Sequence, residues 1–259
     1  DSKFGFSLET GDAATAIREA LAASNVHLVG VHFHLGSPIF EREPYAIAID
    51  TVLRFVKEFK ADGLELQEFS PGGGFAIGYL RDQLPPSIAD YAEVITKATR
   101  DQCANLEFEE PTLVIEPGRA IVGRAGVALY TVGGIKDIPS VRKYVSLDGG
   151  MGDNIRPALY NSSYEAVAAN HMSTIPTEIV TLAGKFCESG DVLVRDIKLP
   201  VLEPGDIIAI PASGAYSPSM ASNYNLNPRP AMVMVKEGAS RLIRHRETYD
   251  DLMLRDVID

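Results

Sequence analysis

The spacing of apolar residues changes character about midway along this chain. In the first half, short β-rich runs alternate with stretches of helical period. Residues 3–6 read as the end of a strand, and residues 27–35, 66–70 and 111–116 as further strands. Residues 13–24, 45–61 and 88–102 repeat at three and four. In the second of these Ile47, Val52, Phe55, Val56 and Phe59 make the apolar stripe. Strand, helix and strand at this spacing predict βαβ units and a parallel sheet. A closed eight-stranded (β/α) barrel needs about 250 residues, so the alternation up to residue 125 predicts half of such a barrel. Beyond it, residues 127–135, 144–147, 178–183, 192–197, 206–210 and 231–237 read as strands separated by turn residues such as Glu203-Pro204-Gly205-Asp206. The expected fold class is α/β plus all-β. Residues 1–125 form part of a barrel, and residues 126–259 form an antiparallel β-barrel or sandwich.

Composition narrows the function classes. The 259 residues carry a net charge of -11, which argues against nucleic acid and anionic membrane as partners. It leaves room for an anionic small molecule met by local arginines. Two distant cysteines make no disulfide framework, so a reducing, cytoplasmic setting is expected. No apolar run reaches the roughly 18 residues of a membrane span, and no signal peptide is visible. The chain opens Asp1-Ser2-Lys3 without a methionine, which suits processing or a fragment.

Six segments carry candidate chemistry. In Val31-His32-Phe33-His34-Leu35-Gly36-Ser37 the two histidines share a strand face. They suit a metal pair, a polar strand mouth, or a ring laid against a flat cofactor with Ser37 just beyond. Pro71-Gly72-Gly73-Gly74 offers bare backbone N–H groups to a phosphate. In Glu116-Pro117-Gly118-Arg119 a carboxylate stands near a guanidinium at a strand end: a surface ion pair, or a pyridine-nitrogen partner beside an anion fork. Arg156 and Tyr160 can reach one anionic group together, with a solvated loop as the alternative that the segment alone favours. Cys187-Glu188 joins a proton donor to an ammonium acceptor in a Gly- and Ser-containing loop, where a buried structural cysteine is the alternative. Tyr216, after Gly214-Ala215, can place a hydroxyl on a phosphate.

In order and spacing these segments resemble the fold-type III, alanine-racemase-like pyridoxal-phosphate (PLP) decarboxylases, and within them the branch that decarboxylates diaminopimelate. The matching stretches run from Ser2-Lys3-Phe4-Gly5-Phe6 through His34-Leu35-Gly36-Ser37, Glu116-Pro117-Gly118-Arg119, Asp148-Gly149-Gly150-Met151 and Cys187-Glu188-Ser189-Gly190-Asp191 to Arg246-Glu247-Thr248-Tyr249. The resemblance implies PLP as cofactor, with His34 stacked on its ring and Glu116 on its ring nitrogen. Ser37, Gly74, the backbone at Gly118 and Arg119, and Tyr216 would hold its phosphate region. It further implies substrate contacts from Arg119, Arg156, Tyr160, Glu188 and Tyr216, and Cys187 as the acid that protonates the decarboxylated carbon. In this family Cys187 and Glu188 would serve the partner subunit's site, so a homodimer with shared sites is implied.

The chain departs from the pattern in two places. The family attaches PLP to a lysine in an Ala-x-Lys-Ala-Asn-like strand, and no lysine here has that context; Lys3 lies in a different stretch. The expectation is a fragment, inactive by itself, that lacks the first part of the barrel. The family's Asp-x-Gly-Gly-Gly also reads Ser70-Pro71-Gly72-Gly73-Gly74. Two other readings stand beside this one. One is a related decarboxylase of ornithine, arginine, carboxynorspermidine or a carrier-linked amino acid. The other is a non-catalytic dimerising homologue.

Overall fold

The computed structural model describes residues 3–257, so Ser2 of the first matching stretch lies outside the described residues. The chain separates into two compact units, residues 1–77 with 84–120, and residues 78–83 with 121–259.

In the first unit, helix α1 (Asp12–Ala22) precedes strand β1 (Gly30–His32), helix α2 (Glu43–Lys57), strand β2 (Glu68–Gly73), helix α3 (Ile88–Leu106) and strand β3 (Thr112–Glu116). A short turn of helix, α4 (Arg119–Val122), follows. The three strands pair in parallel in the order β1-β2-β3, as βαβ patterning requires. Spacing of three to four residues puts Tyr45, Ile49, Leu53 and Val56 of α2 on one face. They pack with Phe69 of β2 and with Tyr91, Ile95 and Cys103 of α3 in one buried core. Ser87 starts α3 with a capping box: its hydroxyl accepts from Asp90 N–H, and Asp90 accepts from Ser87 N–H. The Ser87 hydroxyl and the Ser87 N–H, both donating to the Asp90 carboxylate, hold that carboxyl below its usual range, with Arg42 adding to the effect.

Two strand expectations are corrected here. Residues 3–6 form no strand. The strand expected over residues 27–35 shrinks to Gly30–His32, because the chain leaves the sheet after Phe33 N–H bonds Ser70 O at 2.9 Å. In the opposite sense, β2 continues through Pro71 to Gly73, with an irregularity between Phe69 and Gly72.

The second unit holds β4 (Ala128–Ile138), β5 (Arg142–Leu147), α5 (Arg156–Tyr160), β6 (Val167–Ala168), β7 (Glu178–Ala183), β8 (Val192–Leu199), β9 (Ile207–Ile210), α6 (Ser217–Met220), the hairpin strands β10 (Met232–Lys236) and β11 (Ala239–Arg244), and α7 (Tyr249–Met253). Six strands form one sheet in the order β6-β9-β4-β5-β7-β8, and among the described residues β10 and β11 form a separate two-stranded sheet. The expected antiparallel pattern fails at one place: β5 and β7 run parallel, Tyr144 opposite Thr181. About 30 residues separate the two strands, enough for the crossover a parallel pair needs. Alternate residues of β4, β5, β7 and β9 (Tyr130, Val132, Val145, Leu147, Val180, Leu182, Ile208 and Ile210) are buried.

Candidate active site

In the first unit the candidate residues gather at the C-terminal ends of the three parallel strands, the end where (β/α) folds place their chemistry. The strand ends approach backbone to backbone. A Cβ on Gly73 would stand 2.0 Å from Glu116 O, and one on Gly74 would stand 2.2 Å from Gly36 O, so only glycine fits there. Two buried tyrosines brace this turn from below. Tyr45 Oη donates to Gly73 O at 2.6 Å, and Tyr91 Oη donates to Ile39 O at 2.5 Å. Both rings pack with Phe75, at centroid distances of 5.8 and 5.1 Å. Burial and the neighbouring Tyr91 push the Tyr45 phenol up to about 12, so it stays a donor at any ordinary pH.

The two histidines, which share a strand face in the sequence, take different partners. His34 Nδ1 accepts from Gly73 N–H at 3.2 Å, which requires the lone pair on Nδ1 and orients the ring. His32 Nε2 lies 3.2 Å from Glu116 Oε2. Among the described residues no group of three or more His, Cys, Asp or Glu side chains is arranged to hold a metal ion. Arg119 is buried and donates from a terminal nitrogen to Ser37 Oγ at 2.9 Å. Gly118 forms the bend between β3 and Arg119. Arg119, Ser37 and the glycine turn form a donor set suited to a phosphate dianion, and Glu116 offers an acceptor to a protonated ring nitrogen. These residues fit PLP.

In the second unit Arg156 is nearly buried. Its Nη1 donates to Tyr164 Oη at 2.6 Å. The guanidinium carbon lies 5.0, 5.8 and 5.8 Å from the ring centroids of Tyr79, Tyr164 and Tyr216. Arg156 and Tyr216 are therefore brought together. Tyr160, one turn further along α5, is 59% exposed while Arg156 is 6% exposed, so the two occupy different settings. Tyr216 sits at φ 69°, and Gly214 before it packs against Val122 O.

Cys187 and Glu188 lie in an exposed loop built around a buried carboxylate. Asp191 accepts from Met151 N–H at 2.6 Å and from Phe186 N–H at 2.8 Å. Burial raises its carboxyl above the usual range, against the pull of those two bonds. Cys187 N–H donates to Asn225 Oδ1 at 3.0 Å, and Tyr224 Oη donates to Glu188 Oε2 at 3.4 Å. The Phe186 ring lies over Gly152, where a Cβ would stand 2.3 Å from it. Sequence reasoning quoted Asp191 only as part of a matching stretch and gave Tyr79, Tyr164 and the His32–Glu116 contact no role. Tyr164 lies 8 residues from Arg156, and His32 lies 84 from Glu116, beyond any local pattern.

Residues 1–123 match the family model described as the pyridoxal binding domain of pyridoxal-dependent decarboxylases. The chain is 45% identical over 258 residues to the diaminopimelate decarboxylase of Halalkalibacterium halodurans, covering 99% of this chain and 59% of that protein. It is similar to the crystal structure of diaminopimelate decarboxylase from M. jannaschii in complex with L-lysine: TM-score 0.92, 39% identity, 100% of this chain and 58% of that one. A lysine/ornithine decarboxylase from Vibrio vulnificus, complexed with putrescine, aligns with TM-score 0.75 at 27% identity, over 88% of this chain and 60% of that one. The chain thus spans somewhat under two thirds of the length of these relatives.

Proposed function

We propose that this chain belongs to the pyridoxal-dependent decarboxylases, whose family model its residues 1–123 match, and that it serves the PLP-dependent decarboxylation of meso-2,6-diaminopimelate to L-lysine and carbon dioxide. The observation that carries this reading is the unbroken similarity to diaminopimelate decarboxylases over 99% of the chain, with a fitting donor set at the strand ends of the first unit. L-lysine, bound in the M. jannaschii relative, is the product this reaction would leave.

Bound PLP would supply an electron sink for the charge left as the carboxylate departs. The chain's own residues do the rest. His34 would face the cofactor ring, and Glu116 would accept from its nitrogen. Ser37, Gly74, the backbone at Gly118 and Arg119, and Tyr216 would hold its phosphate. Arg119, Arg156, Tyr160 and Tyr216 contact the substrate. Glu188 takes the distal ammonium, and Cys187 delivers a proton from Sγ to the α-carbon. The exposure of Cys187 and Glu188 suits their service in a partner subunit's site, hence a homodimer. Residues 1–125 are read as part of a PLP-binding (β/α)8 barrel and residues 126–259 as the β-barrel or sandwich domain. Among the described residues no helix is long and apolar enough to cross a membrane. Cytoplasmic residence is part of the proposal. No lysine stands in the family's attachment context, so the 259 residues alone are proposed to be inactive, and turnover belongs to a protein that supplies that lysine.

The test is L-lysine formation from meso-diaminopimelate by the protein as its source makes it, with L-ornithine, L-arginine and carboxynorspermidine as rivals and the intact mass recorded. Preferential lysine formation supports the proposal. A preference for a rival assigns another substrate, and a protein that binds no PLP is a non-catalytic homologue.

A further inference from the structure

Arg156 is a charged group held almost out of water, and what surrounds it determines which of its N–H groups can turn to a ligand. Three tyrosine rings flank the guanidinium, yet a ring face constrains a cation only loosely. One directed bond fixes it: Nη1 to Tyr164 Oη at 2.6 Å, between side chains whose residues are 6% and 3% exposed. Tyr164 is itself clamped. Its ring meets Tyr79 edge to face at 5.1 Å. The next residue, Glu165, accepts from Arg81 N–H at 3.2 Å, which ties the Tyr79 segment to the Tyr164 segment. Arginine never gives up its proton at working pH, so a guanidinium N–H without this acceptor would be left buried and unsatisfied. The side chain would then rotate or draw in water.

We propose that Tyr164 is the positioning residue for Arg156. Its phenol oxygen occupies one edge of the guanidinium, so that another edge is presented to a carboxylate in fixed orientation. The consequence is specificity, because a substrate with a distal carboxylate profits from the fixed fork and one without it does not. This rests on the proposed function, since it takes Arg156 as the group that meets the carboxylate of diaminopimelate.

The experiment compares Tyr164→Phe with wild type in the PLP-loaded, lysine-bearing protein, using meso-diaminopimelate and, as the substrate lacking a distal carboxylate, L-ornithine. Phenylalanine keeps the ring and removes only the hydroxyl. For loss of a bond to a charged group, KM for diaminopimelate is expected to rise about tenfold. The turnover number and the slow rate on ornithine should stay within about twofold. In an Arg156→Lys background the same change should add almost nothing, since its target is gone. Equal losses on both substrates, a fall in turnover number alone, or full additivity with Arg156→Lys would overturn the proposal. Calorimetric binding of L-lysine, the proposed product that keeps the distal carboxylate, to both forms gives a readout free of turnover, and equal affinities would overturn it as well. A wild-type protein that ignores diaminopimelate sinks the functional reading itself. A wild type that accepts it, beside an indistinguishable Tyr164→Phe, sinks this inference alone.

Discussion

His32 at the end of β1 and Glu116 at the end of β3 meet at 3.2 Å although their strands are not neighbours; β2 lies between them. The contact spans the end of β2, where Ser70 pairs with His32 on one side and Gly73 with Glu116 on the other. A histidine that sequence reading could only assign to a metal pair, a strand mouth or a cofactor face is therefore a partner of the carboxylate proposed for the ring nitrogen. Both side chains are about half exposed, at 51% and 52%, so the pair is screened by water. His32→Ala is expected to lower stability by less than about 1 kcal/mol. Urea unfolding of the two proteins checks this, and a larger loss would mean that the pair is more buried than its exposure indicates.

The glycine turn should be far less tolerant. Gly73→Ala would drive a Cβ to 2.0 Å from the Glu116 carbonyl, where the neighbouring strand can yield only by breaking register. A loss of about 1–3 kcal/mol is expected from overpacking alone. Gly134→Ala is the control: a Cβ there meets nothing within 4 Å, and the change should stay within about 0.5 kcal/mol. Thermal melts of both variants separate a specific steric demand from general sensitivity to alanine.

The two thiols should differ in reactivity. Cys103 is buried in the first unit and its thiol is pushed up by burial, while Cys187 is exposed. Iodoacetamide at neutral pH is expected to label Cys187 alone in the folded protein and both cysteines in denaturant. Peptide mass spectrometry reads the sites, and labelling of Cys103 under native conditions would contradict the packing.

Acid should loosen the segment around Arg229. Glu247 accepts from the Arg229 guanidinium and backbone and from Asn223 Nδ2, and these bonds hold its carboxyl down to about 2. A depressed carboxyl stabilises the fold above its unfolded value, near 4.5, and that contribution is lost as pH falls toward about 2. Melting temperature should therefore drop across that window by more in wild type than in Glu247→Gln. Parallel pH profiles would show that the contact contributes nothing to stability.

Much of the fold was legible because burial imposes periodicity. Of the expected stripe Val56 and Phe59 are buried and Val52 and Phe55 partly so, while Ile47 is 67% exposed because Tyr45, Ile49 and Leu53 form the inner face instead; the glycine signal marks the end of β2. Periodicity cannot mark where pairing stops, so the run through Leu35 read as strand although the backbone turns away to cradle Gly72 to Gly74. It is also blind to strand direction, since inward-facing residues alternate equally in parallel and antiparallel pairs; β5 and β7 were misread for that reason. The β11 strand escaped notice because Arg241 and Arg244 break its apolar run and its turn is Glu237-Gly238, both at positive φ, rather than the Asn-Gly that announces such hairpins. Among the candidate residues the chemistry-bearing types stand out singly within each unit: His34 and Glu116 in the first, Arg156 and Cys187 in the second. Which tyrosine meets which arginine is a property of three-dimensional proximity and left no trace along the chain.

Residues 78–83 cluster with the second unit although they interrupt the first in sequence, and Tyr79 and Arg81 find Arg156 and Glu165 there. The backbone therefore passes from one unit to the other three times. No single cut yields two intact halves. A cut after residue 120 would part Tyr79 and Arg81 from Arg156 and Glu165, and a piece beginning at residue 121 would lack one of the rings around the Arg156 guanidinium.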